Sequence, residues 1–181
     1  EVLRLALERV GTDNAQGEMY LTDVLAIVRA EGRTVRAVRT DDPWQVEGVN
    51  DRAQLATLGA ELNRRLILQA MLDGAGVVDP ATTWIDVDVV LEEDVTILPG
   101  VQLRGTTVVH RDAVIGPDST LIDCEVGRGA NVVRTHAVQS SIGSQANVGP
   151  FTYLRPGTVL GSRGKIGGFV ETKNAKIGDG A

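Results

Sequence analysis

Residues 85–121 read IDVDVVLEEDVTILPGVQLRGTTVVHRDAVIGPDSTL, and this stretch decides the fold. Ile85, Leu91, Ile97, Leu103, Val109, Ile115 and Leu121 recur every six residues without a slip. After a shortened step the phase resumes at Val126 and Val132, and a longer loop follows. Ile142, Val148, Leu154, Leu160 and Ile166 then run in register, and Ile177 restarts the pattern after a further insertion. Glycine follows the aliphatic residue at Gly116, Gly127, Gly143, Gly149, Gly161, Gly167 and Gly178.

A fixed short period is the signature of a solenoid. With a period of six, three short strands make one triangular coil, the aliphatic residue pointing inward from each side. A smaller residue two places before the next aliphatic fills the corner: Val95, Val101, Thr107, Ala113, Ser119, Ala130, Ala146, Thr152 and Thr158 take that place. Successive coils stack at the inter-strand spacing of about 4.8 Å, so backbone groups pair coil to coil. The remaining length accommodates roughly five coils. A sandwich of alternating strands would need period two and hairpin turns.

Composition agrees. Only 3% of residues are aromatic while 43% are hydrophobic, so the core is Val, Ile, Leu and Ala. One cysteine, Cys124, excludes an internal disulfide and reads as a small apolar filler within the repeat. No apolar run is long enough to span a bilayer and no secretory leader opens the chain, which makes the cytoplasm the expected location and membrane insertion unexpected. The formal charge of -6 argues against general nucleic-acid binding. Residues 126–181 nevertheless carry seven Lys or Arg against two acids, a bias suited to phosphorylated small ligands.

Upstream of the repeats the signals are α/β. Val2, Leu3, Leu5, Leu7 and Val10 fit a short helix that reads as a chain entered part-way. Thr22 is the expected N-cap of a helix through Val28 that Gly32 closes. Thr34 to Thr40 alternates as an edge strand would. A long helix starts at Asn50 or Asp51, with Leu55, Leu58, Leu62 and Leu66 as its stripe and a Glu61–Arg65 pair on its flank. Its expected role is a connecting rod, and Asp73-Gly74-Ala75-Gly76 ends it.

Several segments in this order resemble the bacterial family of bifunctional N-acetylglucosamine-1-phosphate uridyltransferase and glucosamine-1-phosphate acetyltransferase. They are Asn14-Ala15-Gln16-Gly17-Glu18 with Tyr20-Leu21-Thr22-Asp23, then Val46-Glu47-Gly48-Val49-Asn50-Asp51-Arg52. Val148-Gly149-Pro150-Phe151, Leu154-Arg155-Pro156-Gly157 and Phe169-Val170-Glu171-Thr172-Lys173-Asn174 complete the set.

The resemblance implies a mixed architecture: the α/β tail of a Rossmann-like nucleotidyltransferase domain over 1–51, a helical arm over 52–76, and a left-handed parallel β-helix over 77–181. The left hand comes from the resemblance, since parallel crossovers are otherwise right-handed. It further implies a homotrimer acting on sugar phosphates and nucleotides in peptidoglycan precursor synthesis. Mg²⁺ is the implied cofactor, with acetyl-CoA and UTP as cosubstrates. By the same resemblance the catalytic histidine lies beyond Ala181, so the isolated chain is expected to be inactive.

Three residues carry the expected chemistry. Asn50 matches the family's asparagine that helps hold Mg²⁺ and the sugar nucleotide, an amide carbonyl being a hard oxygen ligand; read without the family, it is a helix cap. Arg155 and Lys173 match the positions that bind the sugar phosphate, Arg as a planar fork and Lys as a compact charge. Read alone, both are surface charges of a coil. His110 and His136 fall outside the family's catalytic motif and read as surface residues. Two other readings stay open: a different hexapeptide-repeat sugar nucleotidyltransferase or acyltransferase, and a non-catalytic trimerisation module.

Overall fold

The computed structural model describes all of residues 1–181, and the chain divides into two units, Glu1–Gly48 and Val49–Ala181. In the first, helices α1 (Val2–Leu7) and α2 (Asp23–Ala30) bury Ala6, Val10 and Val24 against Ile27 and Val28. Between them, the Asn14 amide oxygen accepts from the backbone of Gln16 and Glu18 at 3.2 Å each, so the Asn-Ala-Gln-Gly-Glu motif is a side-chain-held turn with Gly17 at φ +66°.

Thr22 is the N-cap of α2 as expected, although it is itself in the helical region and its side chain accepts no capping bond; the backbone turn Leu25 N to Thr22 O opens the helix. One expectation fails in this unit. Residues 34–40 form no strand, and Val38 is 97% exposed. An alternating segment becomes a strand only when another strand supplies its hydrogen bonds, and none lies beside it.

The second unit begins with α3 (Arg52–Leu72), capped by Asp51, whose carboxylate accepts from Gln54 N at 2.7 Å. Glu61 binds both Arg64 and Arg65, which holds its carboxyl down at about 2. Only the last leucine of the stripe packs on the core: Leu55 and Leu62 are exposed, while Leu66 lies with Ala70 and Met71 alongside the buried Asn63 and Ile67. Only the C-terminal half of the helix rests on the solenoid, and a polar residue leads its contact face.

Eighteen strands, β1 (Gly76–Val77) to β18 (Lys176–Ile177), follow in a three-fold cycle. Every third strand pairs in parallel, giving three sheets of six strands, so the stack has six rungs where five were expected. The extra rung comes from three strands outside that count: β1, which precedes Ile85, and two hidden in apparent loops. Thr135–Val138 is strand β11, with Ala137 inward between Leu121 and Leu154. Glu171–Thr172 is β17, with Thr172 inward beneath Leu154.

These two escape a six-residue count because the steps on both sides of Ala137 and the step after Thr172 shrink to five, and because Ala and Thr are weak apolar signals. At such short corners the left-handed turn residue moves one place earlier, as at Arg134, Gln139 and Asn174, φ 43°, 43° and 47°. The inward columns, such as Ile97-Ile115-Val132-Val148-Ile166, are buried almost completely. Each aliphatic side chain so buried contributes about 1.5–3 kcal/mol. The small corner residues named above are all buried, as is Cys124, whose thiol pKa is raised by that burial.

The repeated glycine has a steric origin. A Cβ on Gly143 would lie 2.5 Å from Gly161 C and 2.6 Å from Ser162 N on the next rung. Backbones approach too closely at that corner for any side chain.

Candidate functional site

Arg155 and Lys173 leave the same corner of adjacent rungs. Arg155 follows β14 (Thr152–Leu154) and Lys173 follows β17, and the register pairs Leu154 with Thr172. Arg155 N donates to Thr172 O at 3.0 Å, while the Arg155 carbonyl accepts from the Thr158 hydroxyl at 2.8 Å and the Ser140 hydroxyl at 3.3 Å. The backbone that carries the guanidinium is therefore held from both sides. Its Nη1 donates to Glu171 Oε1 at 3.0 Å, and Lys173 is exposed with no ionic partner. Two cations about one strand spacing apart, one free and one steered by a carboxylate, can grip the oxygens of a single phosphate.

The adjoining sheet face carries an open groove of about 620 Å³, lined in part by Arg134, His136, Phe151, Tyr153, Phe169 and Glu171. Phe151 and Phe169 stack at 5.3 Å between ring centres, with the Arg134 guanidinium 5.8 Å over Phe151. The sequence reading passed over this aromatic face; its signal was that a chain with two phenylalanines places both at turns of neighbouring rungs.

Asn50 stands apart from this pair. It precedes the N-terminus of α3, a helix of 21 residues or about 30 Å, whose far end meets the first rungs. Asp51 is the cap, and Asn50 contributes only its backbone N–H, donated to Gln54 Oε1 at 2.7 Å. The Asn50 amide is exposed and makes no hydrogen bond, so the helix start does not account for it. One amide oxygen is not a metal site, however, and the chain holds no group of three or more His, Cys, Asp or Glu able to bind a metal. Asn50 can supply one of the hard oxygen ligands that Mg²⁺ takes, not the set.

His110 sits at the surface on another face, between Glu92 (Nδ1 to Oε1, 2.8 Å) and Glu125 (Nε2 to Oε1, 3.3 Å). Glu92 raises its pKa, and both ring nitrogens face carboxylates. With both ring nitrogens already engaged by carboxylates, neither is free to take a proton from a substrate, which separates His110 from base catalysis. His136 packs edge-on against Tyr153 at 5.2 Å. No helix is long and apolar enough to cross a membrane.

No protein-family model matches the chain. Along almost its whole length it is similar to proteins named Bifunctional protein GlmU, which bears out the resemblance read from its motifs. It is 65% identical over 180 residues to that of Paenarthrobacter aurescens, covering 99% of this chain and 36% of the relative. It is 62% identical over 180 residues to that of Corynebacterium jeikeium, covering 99% and 37%, and 62% over 178 residues to that of Mycolicibacterium gilvum, covering 98% and 36%. The chain thus spans a little over a third of these relatives' length. Among solved structures it is similar to a mutant GDP-perosamine N-acetyltransferase from Caulobacter crescentus, in complex with CoA and GDP-perosamine. That likeness has a TM-score of 0.55 and 18% identity over 65% of this chain and 60% of the other, a similarity of fold.

Proposed function

We propose that the chain is a section of a GlmU-type bifunctional enzyme of UDP-N-acetylglucosamine synthesis. Its solenoid serves the acetylation of glucosamine-1-phosphate. The amine attacks the acetyl-CoA thioester, the C–S bond breaks, and the proton lost by nitrogen passes through a base to the departing sulfur, so that coenzyme A leaves as its thiol. The second activity transfers uridylyl from UTP to N-acetylglucosamine-1-phosphate with release of pyrophosphate. The observation that carries this reading is the pair Arg155 and Lys173, anchored one rung apart in a segment 65% identical to proteins of that name.

In the acetyl reaction Arg155 and Lys173 bind the sugar phosphate, and Glu171 aims the Arg155 fork. Holding the phosphate fixes where the amine lies relative to the thioester, which turns a collision into an oriented encounter. Asn50, some distance away at the head of α3, serves the uridylyl reaction, its free amide contributing one oxygen toward Mg²⁺ and the sugar nucleotide. Such an enzyme works in the cytoplasm as a homotrimer feeding peptidoglycan synthesis.

The separation of the two stations makes the test sharp. In the whole enzyme, Lys173→Ala should reduce acetyl transfer, followed as free thiol released from acetyl-CoA, by about 100-fold, the scale of a lost charge-assisted phosphate contact. Pyrophosphate release in the uridylyl reaction should stay within about twofold, since no contact to that step is removed. Equal loss of both activities would refute the assignment.

A further inference from the structure

Tyr153 lies beside the phosphate-binding pair in a way that gives it work to do. Residues two apart on a strand face the same side, and Leu154 between them is fully buried, so Tyr153 and Arg155 share the outer face. The register pairs Tyr153 with Glu171. Tyr153, Arg155, Glu171 and Lys173 therefore form a two-by-two array over two rungs, with Glu171 tied diagonally to Arg155.

The ring of Tyr153 is braced from the preceding rung by His136, which meets it at 61° and 5.2 Å. It is still 39% exposed, and its hydroxyl makes no hydrogen bond. In a chain with 3% aromatic residues, a rigidly held ring at the margin of two phosphate-grade cations is a specific placement. Two cations recognise phosphate but not what it is attached to. Discrimination of the attached group requires an apolar surface fixed in advance, and a braced ring supplies one at little cost in ordering.

We propose that Tyr153 is a positioning residue for the sugar of the phosphosugar: its ring forms the wall against which the C–H face of the pyranose lies while Arg155 and Lys173 hold the phosphate. This rests on the assignment of Arg155 and Lys173 to the sugar phosphate. The wall makes the same contact in the ground and transition states, so its loss is read in KM rather than kcat.

The test uses the whole enzyme, with glucosamine-1-phosphate varied at saturating acetyl-CoA and inorganic phosphate as a competitive inhibitor. Tyr153→Ala should raise the KM for the sugar phosphate about tenfold, the scale of one lost ring contact. It should leave kcat and the inhibition constant of inorganic phosphate within about twofold, because phosphate alone never meets the wall. Tyr153→Phe, which keeps the ring, should behave as the unaltered enzyme.

An unchanged KM in Tyr153→Ala, a parallel rise in the phosphate inhibition constant, or an equal defect in Tyr153→Phe would each overturn the proposal. Arg155→Ala is the separate control and should raise both constants. If it moves neither, the phosphate assignment itself fails, whatever Tyr153 does.

Discussion

Replacing Asn63 by Leu should destabilise the solenoid unit by about 3 kcal/mol, although Asn63 touches no ligand. Strand β2 (Trp84–Ile85) is the outermost strand of its sheet, with β5 (Gln102–Arg104) on one side only. On the other side Asn63 Nδ2 donates to Thr83 O at 2.8 Å, and Ile85 N donates to Asn63 Oδ1 at 3.0 Å. Those two groups flank Trp84, the pair that one peptide unit of a further parallel strand would engage. The amide thus stands in for a missing strand and closes the open end of the stack.

Leucine keeps the volume and removes both bonds. Thr83 is wholly buried and Ile85 is 9% exposed, so a carbonyl and an N–H would lose their partners where water barely reaches. Each such loss costs about 1–3 kcal/mol, and partial hydration at the margin argues for the lower half of the doubled range. A loss of 3 kcal/mol corresponds to roughly 6–12 °C in Tm for a unit of this size. Trp84 lies beside the contact, so with Trp44→Phe as background its fluorescence reports this end of the stack during thermal or urea unfolding. A shift below about 2 °C would show that the amide does not seal the edge.

Two further perturbations test the stack itself. Gly143→Ala should cost about 2–3 kcal/mol by forcing rungs apart, because its Cβ would meet backbone of the next rung; a melting temperature unchanged from that of the unaltered chain would refute the steric account. His110 has a raised pKa, set first by Glu92. Its bridge between Glu92 and Glu125 is fully present below the unfolded histidine value of about 6.5 and is lost as pH rises through the folded value. His110→Gln should therefore lose most stability on the acid side of neutrality and converge with the unaltered chain at higher pH; a pH-independent difference would contradict it.

Regular six-residue spacing between Ile85 and Leu121 was sufficient to specify inward columns, outward polar residues and parallel stacking, because each aliphatic side chain has only one dry place to go. That Arg155 and Lys173 adjoin was not legible there; it follows from the register that pairs Leu154 with Thr172. Tertiary structure decided what local pattern could not. Ala137 is a core residue only because Leu121 and Leu154 sandwich it across rungs, and Thr172 faces inward only because the register sets it against Leu154. The leucines of α3 look like its buried stripe, yet the face in contact is led by Asn63, since an exposed strand edge demands hydrogen bonds that no leucine can make. The chain's own order assigns residues to faces. Which faces meet, and so which cations lie side by side and which ring stands beside them, follows only when the rungs are in register.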